Sequence, residues 1–261
     1  MTTTAAAGRY WRASRAPRYS LSFAFPLLVA YEALAFTLSH DAMAGVRNGA
    51  DVLLKSAFVL LGGRNGLIAF GVLLVGTGAG LVWRDRRRAG PMELRVFLLM
   101  ALESVAYALA FGLVVGSLTG LLLRPFHPAV AAGWAEPSQA RLALEGGLRA
   151  LGLPTQLMIS LGAGLYEELL FRVLLVGGLA WLARRLFGWR GSAAGLFATL
   201  LGALVFSAFH YIGPYGDRLE LTSFLFRTIA GVLFSALYLL RGFGITAWTH
   251  ALYDVFLAVA V

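Results

Sequence analysis

Along this chain, apolar residues come in long blocks separated by short polar clusters rich in arginine, glycine and proline. A block of roughly 18 to 20 apolar residues is what an α-helix needs to cross a bilayer. Seven blocks qualify: roughly Tyr19 to Leu38, Gly66 to Trp83, Leu94 to Leu123, Pro154 to Ala183, Ala193 to His210, Leu221 to Leu240, and Phe243 to Val261. Between the first two, Asp51 to Leu61 is apolar but short and contains Lys55. It reads as an interfacial or re-entrant helix, or else as an eighth, tilted span. The stretch from Arg124 to Leu153 holds Pro125, Pro128, Glu136, Pro137, Arg141, Glu145 and Arg149, the mark of a turn followed by an amphipathic helix at the surface. The pattern predicts an all-α fold: a polytopic transmembrane helical bundle of about seven spans, or eight, with one interfacial or re-entrant helix.

Composition sharpens this picture. With 59% hydrophobic and only 13% charged residues, the chain lacks the polar surface to cover a water-soluble core. A net charge of +9 could suit nucleic acid, yet the arginines sit in short clusters between apolar runs and form no basic face with interleaved aromatics. Membrane lipid is therefore an expected partner and nucleic acid is not. The clusters Arg9, Arg12, Arg15 and Arg18, then Arg84 with Arg86 to Arg88, then Arg184, Arg185 and Arg190, and finally Arg241 all fall on one side if seven spans alternate. The bias of basic residues towards the cytoplasm then puts the N-terminus inside and the C-terminus outside, in a bacterial-type cytoplasmic membrane. The first apolar block is too long for a signal-peptide core, and Ser39-His40-Asp41 is a poor cleavage site, so it reads as a retained span. The absence of cysteine excludes thiolate nucleophiles, disulfides and Cys-ligated metals. Without repeats or linkers the chain reads as one integrated domain, residues 1–150 giving N-terminal helices and a surface connection, residues 151–261 a polar constellation.

An ionisable group in the hydrocarbon zone is costly, so each one inside a span needs a partner or a task. Glu167, Glu168 and Arg172 lie in the middle of the fourth block. On an α-helix Glu168 and Arg172 are i and i+4 and can pair, while Glu167 points about 100° away with no local counter-charge. Phe206 and His210 close the fifth block, and His250 and Asp254, again i and i+4, lie in the last. Each feature has a bland reading of its own, as an ion pair with a protonated glutamic acid, an interfacial histidine, or a self-satisfied His-Asp pair. Together they supply acid-base groups from three of the last four spans. At ~1.5 Å per residue, Glu167, His250 and Asp254 come ~20, ~16 and ~10 Å from the outer ends of their spans, with His210 near its end, so helix tilt could gather them.

The series Glu167-Glu168-x-x-x-Arg172, Phe206-x-x-x-His210 and His250-x-x-x-Asp254 resembles the three motifs of the CPBP family. That family contains CAAX prenyl-protein endopeptidases and bacterial intramembrane proteases, some linked to bacteriocin self-immunity. The resemblance covers about Gly162 to Val261 and implies an intramembrane endopeptidase acting on a protein or peptide substrate. It makes Glu167 the base that, with His210, activates water, and Glu168, Arg172 and Phe206 structural supports of the site. His250 and Asp254 would stabilise the oxyanion. An ionised Asp254 cannot donate a hydrogen bond, so its expected task is to orient His250 and fix its tautomer. Glutamate-type members work without metal, so no metal or other cofactor is expected, with zinc on Glu167, His210 and His250 as the alternative.

Two other functional classes stay open. One is a non-catalytic scaffold or immunity-type protein that keeps the fold, the other a proton-coupled transporter. Elsewhere in the chain, Glu32 and Glu103 lie inside spans and are expected to pair with cations, and the glycines from Gly71 to Gly80 are expected to allow close helix packing.

Overall fold

A computed structural model describes residues 3–38, 46–89, 91–125, 151–213 and 216–259, and every regular element among them is helical. The amphipathic helix expected between Arg124 and Leu153 lies, from residue 126 to 150, outside the described residues. A surface helix α1 (Thr3–Arg15) precedes α2 (Pro17–Leu38), which begins at a proline whose fixed φ suits a first helical turn. Then follow α3 (Gly49–Ala89) and α4 (Leu94–Leu123). A continuous rod comes next, built from α5 (Leu153–Gly162), a π-helical segment (Ala163–Val176) and α6 (Gly177–Phe187). The chain ends with α7 (Gly191–Phe209), α8 (Leu221–Arg241) and α9 (Phe243–Val259). Five of these helices, α2, α3, α4, α7 and α8, are long and apolar enough to cross a bilayer; α9 is a shorter apolar helix. With the α5–α6 rod, the expected seven apolar blocks are each a helical rod.

The short apolar stretch before Gly66 is resolved by a chain reversal inside α3. Gly63 sits in the left-handed region at φ 55°, a conformation that costs glycine little, and breaks the helix beside Gly62. The following residues fold back on the first part, bringing the rings of Phe58 and Phe70 to 5.2 Å. A side chain on Gly66 would run into the Phe58 carbonyl, so the hairpin depends on glycine there as well. Asp51 to Leu61 therefore forms a helix that turns back, as a re-entrant element does.

Helix α9 is the centre of the bundle, packing against α2, α4, α5 and the π segment. Lipid offers helices no hydrophobic drive to associate, so small residues that permit close backbone approach carry the packing. Gly164 of the π segment lies so close to α9 that an added Cβ would stand 2.4 Å from the Ala247 carbonyl oxygen. Gly244 of α9 meets the backbone of Ser20 in the same way. The glycines expected to do this, Gly71, Gly76, Gly78 and Gly80, have open space around them among the described residues. Their helix turns that face outward, so the close packing falls to glycines near the polar constellation instead.

One end of the bundle gathers the N-terminal arginines, the Arg84 to Arg88 cluster and Arg241. Arg18 pairs with Asp85 at 3.4 Å, Arg15 donates to the Leu239 carbonyl at 3.1 Å, and the Glu93 amide donates to the Tyr19 hydroxyl at 2.7 Å. Glu103 of α4 binds Arg241 of α8 and accepts a hydrogen bond from Tyr10 of α1. Burial, then that hydrogen bond, raises the Tyr10 phenol above its usual range, which keeps it a neutral donor. Glu103 is thus paired, as expected for an intramembrane carboxylate.

Candidate active site

The π segment is where the site begins. π-helical geometry mostly occurs as single-turn bulges, often at functional sites, and here it runs for 14 residues. Spacing alone predicts an α-helix here, and the structure departs from it. Neighbours on several sides bury six consecutive residues, Ala163 to Glu168, so two adjacent carboxylates both end inside the protein. Glu167 and Glu168 are 7% and 0% exposed.

Glu168 lies at the junction of two charged groups. Its Oε2 pairs with Arg172 Nε at 3.2 Å, and its Oε1 accepts a hydrogen bond from His250 Nδ1 at 2.7 Å. The guanidinium of Arg172 sits over the faces of Phe206 and Phe234, 4.4 and 5.4 Å from their ring centres. Phe234 also stacks on the His250 imidazole at 4.3 Å. The spacing thus anticipated the Glu168–Arg172 pair but not the bond from Glu168 to His250. Asp254, expected to orient His250, stands 3.6 Å from Nε2, beyond hydrogen-bond length. The orienting contact belongs to Glu168, because the π segment faces α9 directly across the Gly164 contact.

His210 caps the C-terminal end of α7, and its Nδ1 lies 2.9 Å from the Phe206 carbonyl. A carbonyl oxygen only accepts, so Nδ1 carries the proton in the neutral ring and Nε2 keeps its lone pair. Phe206 lies between the two imidazoles, its ring centre 4.9 Å from that of His210 and 6.3 Å from that of His250. Glu167 lies within the electrostatic reach of both imidazoles. The structure therefore brings Glu167, Glu168, Arg172, Phe206, His210, His250 and Asp254 into one region.

A residue that spacing did not single out completes the region. Asn48, 3% exposed, donates from Nδ2 to Glu167 Oε1 at 2.8 Å. Its Oδ1 accepts from the Ala50 and Asp51 amides at 2.9 and 3.4 Å, capping α3. The cap fixes which end of the amide faces Glu167. Glu167 Oε2 has no hydrogen-bond partner among the described residues. The sequence signal was only Asn48-Gly49 ahead of an apolar helix, which marks a helix start and says nothing of a carboxylate 119 residues away.

Beside Asn48, Glu32 pairs with Lys55 at 2.8 Å and Arg47 at 3.3 Å and accepts from Tyr166 at 2.6 Å. Asp51 takes Arg47, Lys55 and the Tyr31 hydroxyl, each at 2.7 Å. Glu32 is paired, as expected, and the whole group braces the re-entrant helix against α2 and the π segment. Among the described residues, no three His, Asp, Glu or Cys side chains come together as a metal-ligand set.

Residues 149–256 match the family model for the Rce1-like type II CAAX prenyl endopeptidases. They form an Rce1-like CAAX endopeptidase domain. The matched residues make up less than half of the chain; the family is one of proteases, and the described residues include five helices long and apolar enough to cross a membrane. Comparison with curated proteins and with solved structures gave no match. The Rce1-like domain contains the three motifs from Glu167 to Asp254, whereas Asn48, Glu32 and the helices α1 to α4 lie outside it.

Proposed function

We propose that the Rce1-like domain hydrolyses a peptide bond of a membrane-associated or C-terminally anchored protein, with Glu167 and His210 activating the water. In this reading Glu167 Oε2 takes a proton from the water while His210 Nε2, the ring nitrogen left with a lone pair, accepts its second hydrogen bond. The oxygen attacks the scissile carbonyl carbon, and the carbonyl oxygen becomes an oxyanion that His250 Nε2–H stabilises. A His250 able to donate from Nε2 while Nδ1 is bonded to Glu168 carries both protons, and the carboxylates of Glu168 and Asp254 beside it compensate that charge. The proton held by Glu167 then passes to the leaving nitrogen and the C–N bond breaks; the new carboxylic acid gives its remaining proton to the released amine, so the products are a carboxylate and an ammonium group.

The observation that supports this reading most directly is the buried Glu167 carboxylate, one oxygen held by Asn48 and the other without a hydrogen-bond partner among the described residues, in the region where His210 and His250 come from two other helices. The mechanism uses no metal. The basic clusters shared by one end of the bundle favour an N-terminus in the cytoplasm.

The test is cleavage by the full chain in detergent, offered C-terminal peptides and co-expressed membrane proteins, against Glu167→Ala and His210→Ala. Both changes are expected to abolish cleavage, and added chelator is expected to leave it intact. Full activity in either variant would overturn the assigned roles, and chelator loss restored by zinc would overturn the metal-free mechanism. Binding of peptides without cleavage by the unaltered chain would favour a scaffold.

A further inference from the structure

Away from the proteolytic site, a cavity of about 720 Å³ opens between α1, the start of α2 and the start of α4. Arg9 and Arg12 of α1, Arg18 of α2, which also pairs with Asp85, and Arg95 of α4 line it, together with the acidic Glu93. Arg12 and Arg95 are exposed. The framework is fixed, since the Glu93 amide donates to the Tyr19 hydroxyl at 2.7 Å and Tyr10 donates to Glu103. The cavity lies at the end where the basic clusters gather, the end that the positive-inside rule puts at the inner leaflet.

We propose that this cavity binds the phosphodiester headgroup of an anionic glycerophospholipid. Guanidinium groups suit phosphate oxygens through paired N–H donors, and a basic pocket at a helix end on the cytoplasmic side is what an anionic headgroup seeks. The argument for a lipid over a free phosphate is the apolar side of the site. Val96 and Leu99 form part of the lining, and beyond them α4 presents Leu94, Leu98 and Leu102, which are 72%, 57% and 68% exposed. An acyl chain attached to a phosphate in the cavity has that face to run along. The inference does not depend on the catalytic assignment.

The test uses the full chain in detergent, stripped of co-purified lipid, with native mass spectrometry and thermal unfolding. Its ligands are phosphatidylglycerol, phosphatidylcholine and glycerol 3-phosphate. Phosphatidylglycerol is expected to bind about tenfold more tightly than phosphatidylcholine and to raise the unfolding midpoint, as expected for an anionic headgroup among several arginines. Arg12→Gln/Arg95→Gln is expected to lose that preference, and Arg86→Gln/Arg88→Gln, outside the cavity, to keep it. Equal binding of the two lipids by the unaltered chain overturns the proposal even if the first variant does not fold. So does a preference that survives Arg12→Gln/Arg95→Gln or is lost in Arg86→Gln/Arg88→Gln. Displacement of phosphatidylglycerol by glycerol 3-phosphate at similar concentration overturns the lipid assignment in favour of a soluble phosphate.

Discussion

Asn48 and Glu167, 119 residues apart, are joined by a 2.8 Å hydrogen bond that links the capped start of a re-entrant helix to the candidate base. A hydrogen bond to a charged group contributes about 1.5–3 kcal/mol, so removing it should lower kcat by roughly ten- to a hundredfold. Asn48→Ser keeps an oxygen for the cap but is too short to reach Glu167. It is expected to lose kcat with KM little changed and to lower the unfolding midpoint less than Asn48→Ala, which loses the cap as well. Steady-state kinetics with thermal unfolding on both variants checks this, and a fully active Asn48→Ser would show that the contact does not serve catalysis.

Glu168 offers a different test, because it forms an ion pair with Arg172 and accepts a hydrogen bond from His250. Arg172 is 1% exposed, and removing the partner of a buried charge is expected to cost about 3–5 kcal/mol. Glu168→Ala should therefore unfold at much lower temperature and accumulate poorly. Glu168→Gln keeps the shape and one acceptor oxygen, so it is expected to fold while losing activity through a misoriented His250. Equal stability of Glu168→Ala and the unaltered chain would mean that the pair contributes little.

How much of this was legible in the sequence follows from the range of each interaction. The rods were legible because crossing a bilayer imposes a length, and Leu94 to Leu123 has the same bounds in both readings. Glu168–Arg172 was legible because residues four apart stay on one helix face in the expected α-helix and in the wider π turn alike. Asn48–Glu167 and Glu168–His250 join residues 119 and 82 positions apart, and no local period encodes such contacts. The π segment was hidden for a related reason: its residues have ordinary helical propensities, and the geometry accompanies packing on several faces at once. The dense glycines from Gly71 to Gly80 misdirect the packing expectation because composition marks where glycine is dense, not which helix face meets a neighbour.

Gly164 is the place to test that packing argument. A methyl group there would stand 2.4 Å from the Ala247 carbonyl and 2.6 Å from the Ala251 side chain, both on the helix that carries His250. Overpacking of this kind costs about 1–3 kcal/mol, and displacement of α9 should cost activity beyond the loss of stability. Gly178→Ala, in the same rod with open space around it, is expected to be neutral or slightly stabilising. Thermal unfolding and cleavage rates on the two variants separate these outcomes, and a fully active, fully stable Gly164→Ala would mean that α9 does not sit against the π segment.

Asp254 is the remaining residue whose part the geometry changes. At 3.6 Å from His250 Nε2 it makes no direct hydrogen bond, while Glu168 holds Nδ1 at 2.7 Å. Its influence on the ring is then electrostatic, and its carboxylate lies on the side where the proposed oxyanion forms. Asparagine at this position keeps the size and adds an N–H donor, so Asp254→Asn is expected to retain activity within about tenfold, the range of one neutral hydrogen bond gained or lost. Asp254→Leu removes both charge and donor and is expected to lose far more kcat than KM. If Asp254→Asn were as inactive as Glu167→Ala, the carboxylate itself would have to handle a proton, and the division of labour between Glu167 and Asp254 would need to be reversed.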